Sequence, residues 1–155
     1  MTGNAAQAAQ EAHATTTHEA LTGWRAIVDR VYRYLIGLYV VALVLLIYLA
    51  GEGIFGEHAT KIADAKSLDP HRGLGSLLGL VAVVLFLLAL AARVNRSTVL
   101  RTLVLALLAL VAQPALAGGG ESNKWVGGLH VIDGVAIFGL AVWLAESARR
   151  RSRSI

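Results

Sequence analysis

Four apolar runs, each close to the length of a membrane crossing, constrain this chain more than any other feature. They cover residues 32–49, 73–92, 99–117 and 129–145. A hydrocarbon layer about 30 Å thick takes roughly 20 helical residues, at about 1.5 Å of rise each. Inside it, backbone polar groups must find partners within the protein, and runs of this length meet that demand as helices. The expected fold is therefore all-α: an integral membrane four-helix up-down bundle. Composition agrees, because 56% hydrophobic and 15% charged residues make the chain too apolar for an ordinary soluble domain. The first run starts too far from residue 1, and lacks the small-residue cleavage site, for a signal peptide.

Charge sets the expected orientation. Arg25, Arg30 and Arg33 precede the first run, and Arg93, Arg96 and Arg101 lie between the second and third. Arg149, Arg150, Arg151 and Arg153 follow the fourth. Only Lys61, Lys66, Arg72 and Lys124 fall on the opposite side. The positive-inside rule then places both termini and the central loop in the cytoplasm. The net charge of +4 is no nucleic-acid signature, since most arginines flank apolar runs as bilayer anchors do. With no cysteine, disulfides, thiolate metal sites, iron–sulfur clusters and covalent c-type haem attachment are excluded.

The organisation is simple. Residues 1–23 read as a disordered, Ala/Gln/Thr-rich cytoplasmic arm, in which His13 and His18 take no role. Residues 24–148 hold the four-helix domain, and 149–155 form a basic tail. The Trp-, Tyr- and Arg-bearing stretch 21–34 reads as an interfacial helix leading into the first run. The long outer loop has room for a short helix near residues 59–65. No internal repeat is evident in the chain beyond that arm.

Chemistry concentrates at the outer ends of the second and fourth runs, in "LDPHRGLGSLLGL" and "LHVIDG". His71 and His130 stand at comparable heights above the cytoplasmic arginines, about 33 and 28 Å by helical rise. Short loops make successive helices antiparallel neighbours, so the second and fourth stand diagonally, about 12–14 Å apart. That gap is too wide for the two imidazoles to bond each other. It suits two axial ligands with a flat macrocycle between them. Gly75, Gly79 and Gly134 follow the histidines at helical spacing and either clear room for such a group or pack helices closely. Phe138 is placed to floor the pocket. Arg72 is placed to pair with a carboxylate such as a haem propionate or to snorkel to lipid phosphate. Asp133, at i+3 from His130, is placed to orient an imidazole, to pair with Arg72, or simply to be hydrated at the interface. Gln113 reads as glue between helices, and Pro114 as the site of a kink.

These motifs resemble those of an uncharacterised family of small bacterial four-helix membrane proteins. The likeness lies in residues 50–56, read as a turn, in His71, Arg72, Leu74 and Gly75, and in His130, Asp133 and Gly134. The chain is also similar to one four-helix half of a haem A synthase. That resemblance implies a haem b with His71 and His130 as axial ligands. It departs in having one half rather than two, and no motif aligns Glu57 with the acidic residue used by the catalytic half.

The expected function is thus a membrane b-type haem protein with bis-histidine ligation near the extracytoplasmic face, acting in electron transfer or redox and haem handling. The alternative is a non-catalytic accessory or structural subunit, packed against a larger membrane protein or another copy of itself. A copper or zinc site drawing on His71, His130, Glu57, His58 and Asp69 lacks tight ligand spacing. No nucleophile–base constellation and no phosphate-binding loop is evident, so the reading leans away from an enzyme.

Overall fold

The computed structural model describes residues 23–55 and 68–153; residues 1–22 of the proposed arm, most of the first long loop, Glu57, His58 and the short helix at 59–65 lie outside them. Four helices follow in order: α1 (Trp24–Phe55), α2 (Asp69–Ala91), α3 (Arg96–Gly120) and α4 (Lys124–Arg153). All four are long and apolar enough to cross a membrane. Only 17–28% of each apolar window is buried inside the bundle, so most of the apolar surface faces outward. Water would not tolerate such a surface, whereas lipid tails would.

Local chemistry starts and stops these helices. Asp69 and Pro70 open α2, where a proline loses no helical hydrogen bond and an acid meets the positive helix end. Arg93 closes α2 with φ +51°, the left-handed position that glycine commonly fills at helix ends. Its amide donates to the Leu90 carbonyl at 3.1 Å, and Val94 N donates to Ala89 O at 3.3 Å. The Asn95 side chain then accepts from Thr98 N at 2.8 Å and caps α3. Midway along α3, Leu108–Ala112 form a π turn in which Gln113 N donates to Leu108 O. Pro114 accounts for it: its ring would press on the Leu110 carbonyl in a regular helix, and the wider turn relieves that clash.

Three sequence readings change here. Residues 24–34 of the stretch read as an interfacial helix belong to α1 and enter the bundle: Asp29 and Tyr32 are buried. Residues 50–55, read as a turn, continue α1. Residues 149–153 continue α4, and Arg151 reaches within 3.8 Å of Asp29 Oδ1. Asp29 Oδ2 also meets Arg33 Nε at 3.2 Å. The α3–α4 connection is shorter than the runs suggest because glycines let the helices touch. A Cβ on Gly120 would lie 2.8 Å from Gly127 Cα, and one on Gly119 2.8 Å from Val126 Cγ1.

Each helix packs on its chain neighbours, and α1 closes the ring onto α4; the diagonals make no comparable contact. The core has an order that residue identities conceal. α2 lines it with His71, Gly75, Leu78, Ala82, Leu85 and Ala89, and α4 with His130, Gly134, Ile137, Ala141, Leu144 and Ala148. The two series keep one offset of 59 positions, the difference between 71 and 130. On the other hairpin arms, the buried Tyr32, Ile36, Tyr39 and Leu43 of α1 correspond to Thr98, Thr102, Leu105 and Ala109 of α3, offset by 66. The π turn inserts one residue, so Leu46 then matches Gln113. The chain is two helical hairpins in the same register, a repeat of packing rather than of sequence.

Candidate functional site

At the end of the bundle away from the arginine-rich ends, the two histidines are held in the same way. His71 Nδ1 lies 2.9 Å from the Leu46 carbonyl of α1, and His130 Nδ1 lies 3.2 Å from the Gln113 carbonyl of α3. A carbonyl oxygen can only accept, so Nδ1 donates in both rings. In the neutral imidazole the Nε2 lone pair is then left for another partner. Both rings are half-buried. Each bonds the helix that precedes it, at the matched positions 46 and 113, so the hairpin register extends to the histidines' hydrogen bonds.

The residues below the histidines behave less alike. Gly134 makes room for Gln113, whose Nε2 would stand 3.2 Å from a Cβ there and donates to His130 O at 3.2 Å. His130 and Gln113 therefore exchange two hydrogen bonds, which fits the role of glue between helices. A Cβ on Gly75 would meet only Leu46 Cδ1, at an ordinary 3.8 Å. Gly79 lies against α3, where a Cβ would come within 3.2 Å of Ala109 O and 3.3 Å of Leu110 Cδ1. Gly79 and Gly134 thus serve close helix packing in this structure. Phe138 packs at the edge of the core, half-buried.

The charged neighbours separate. Arg72 Nη2 reaches Glu121 Oε1 at 3.3 Å, an exposed pair at the rim, and not Asp133. Asp133 Oδ2 is buried and has no hydrogen-bond partner among the described residues. Its carboxylate does not take the His130 Nδ1 proton, which goes to Gln113. A buried carboxylate oxygen left without a donor is costly. Among the described residues, no three of His, Asp and Glu gather as a metal cage would require.

Sequence reading missed the carbonyl acceptors at Leu46 and Gln113, because a backbone oxygen leaves no mark on composition. It also missed a second polar group toward the arginine end. Thr102 Oγ1 donates to Thr98 O at 2.7 Å, so the Tyr32 hydroxyl is the donor in its 3.5 Å contact with Thr102. Tyr39, 1% exposed, has a hydroxyl without a hydrogen-bond partner among the described residues. Seven-residue stripes through positions 32 and 39, and through 98 and 105, were the available signal.

Residues 47–120 match the model of a family of unknown function, DUF6220. The matched stretch takes in His71, Arg72, Gly75 and Gly79 and ends before His130. This agrees with the resemblance to an uncharacterised family. No curated protein and no solved structure matches the chain. The likeness to half of a haem A synthase rests on the quoted motifs alone.

Proposed function

We propose that this is a bacterial inner-membrane bundle, both termini cytoplasmic, that holds a b-type haem between His71 and His130 near the extracytoplasmic face. One observation carries the reading. The two imidazoles occupy matched core positions of two equivalent hairpins, each with Nδ1 bonded to a carbonyl of the preceding helix. That bond orients the ring and, in the neutral imidazole, leaves the Nε2 lone pair for a ligand, as axial ligation requires. The donor set fits haem iron better than zinc or copper, since two imidazoles without a third ligand suffice only when a macrocycle supplies the rest. Bound there, a haem would supply reversible one-electron chemistry, suited to electron transfer or to redox and haem handling. Asp133 Oδ2 would accept a hydrogen bond in the site, and Arg72 would exchange Glu121 for a propionate.

Detergent-purified protein reconstituted with haem should show a Soret band and, on reduction, the sharp α-band of a six-coordinate haem. His71→Ala and His130→Ala should each abolish the six-coordinate spectrum. A chain that stays colourless with added haem would sink the proposal.

One observation favours a second reading. Gly79 and Gly134 serve helix packing, with Gln113 lying over Gly134. A non-catalytic accessory or structural subunit needs no more than that. Co-purification with a stoichiometric membrane partner, in a colourless complex, would favour it.

A further inference from the structure

A groove runs along the lipid-facing seam between α1 and α4, toward the arginine end. Gly37, Val40 and Val41 line it from α1, and Val142, Ala145, Glu146 and Arg149 from α4; its volume is about 170 Å³. Its walls are apolar except at one mouth, where Glu146 and Arg149 stand. The nearby carboxylates are already engaged. Glu146 Oε1 takes Arg150 Nε at 3.0 Å, and Asp29 is flanked by Arg33 and Arg151. Among the described residues, Arg149 pairs with neither acid. The mouth therefore carries excess positive charge, while the groove behind it runs along the helices between valines and a glycine. Nothing among the described residues demands that glycine: a Cβ on Gly37 would meet none of their atoms within 4 Å. Glycine weakens a helix interior relative to alanine.

We propose that this seam binds one anionic phospholipid, its acyl chain lying along Gly37, Val40, Val41 and Val142 and its phosphodiester on the Arg149 guanidinium. Apolar walls select a chain; both lipid types carry a phosphodiester, so the excess positive charge at the mouth selects by net charge, favouring an anionic headgroup over a zwitterionic one whose cation it repels. The assignment rests on the membrane-spanning reading alone. It is independent of the haem.

Native mass spectrometry of the full-length protein tests it, with phosphatidylglycerol and phosphatidylcholine of identical acyl chains titrated in turn. Wild-type protein should retain a single phosphatidylglycerol at a several-fold lower lipid concentration than phosphatidylcholine. Gly37→Leu projects into open space, so helix content should persist while retention of both lipids falls. Arg149→Gln alters an exposed side chain and should equalise the two lipids without abolishing binding. Equal retention of both lipids by the wild type would overturn the proposal. So would an unchanged phosphatidylglycerol preference in both variants, or a concentration-dependent dimer that Gly37→Leu disrupts while lipid retention stays constant. Haem absorption in the same samples reports separately on the cofactor, so either idea can fail without the other.

Discussion

His71 and His130 show what a residue pattern can and cannot carry. Their type and depth are visible in the sequence, because an imidazole just inside an apolar run stands out chemically. Their hydrogen bonds are not, because the acceptors are main-chain carbonyls of Leu46 and Gln113. The same limit hid Tyr39, which reads as one aromatic among many on an apolar helix. Its hydroxyl is buried without a partner among the described residues, and an unmet polar group inside a protein costs about 1–3 kcal/mol. Tyr39→Phe removes the unmet group and keeps the ring. It should leave the protein equally stable or more stable, by about 1 kcal/mol, in thermal melts in detergent. A clear loss of stability would mean that the hydroxyl has a partner, such as an internal water.

Helix existence was legible at the scale of elements, and helix length was not. The apolar runs mark where lipid must be met, but helices continue past them wherever the backbone stays satisfied. α1 extends to Trp24 and α4 to Arg153 because polar residues at those ends find partners, Asp29 with Arg33 and Arg151. The glycine-rich stretch between the third and fourth runs reads as loop, yet it is mostly helix. The small residues serve a close crossing there, not flexibility. Gly120→Ala would drive a methyl to 2.8 Å from Gly127 Cα, a backbone atom that cannot swing aside. It should cost about 1–3 kcal/mol, the range for overpacked sites. Gly118→Ala, two residues earlier, meets nothing within 4 Å and should be neutral or slightly stabilising through helix propensity. Thermal melts of the pair separate close packing from simple glycine content.

The whole molecule is organised by the shared register of its hairpins. Bulky α1 residues Tyr32, Ile36 and Tyr39 hold the positions that α3 fills with Thr98, Thr102 and Leu105. Tyr32 contacts Thr102 across the bundle, so a large residue on one arm meets a small one on the other. Lipid contributes no hydrophobic drive between helices, so this fit of large against small, with a few hydrogen bonds, holds the bundle together. Orientation is a property of the whole chain as well, and the absence of cysteine makes it simple to test. Ser122→Cys sits exposed in the α3–α4 turn, and Ser97→Cys sits exposed at the start of α3. A membrane-impermeant maleimide applied to intact cells should label the first and spare the second until the membrane is opened. The reverse pattern would invert the proposed orientation and move the histidines to the cytoplasmic face.

The sequence by itself determined four helices and their apolar surfaces, because lipid leaves a run of that length no other way to satisfy its backbone. It also determined that one end of the chain's helices is rich in arginine and the other carries two histidines. Only the tertiary structure decided that those histidines occupy equivalent places, that two of the glycines beneath them pack helices, and that a groove lined by Gly37 and three valines opens between α1 and α4. Such features depend on which faces meet and which carbonyls lie opposite. Both are set by packing between segments that no local pattern connects.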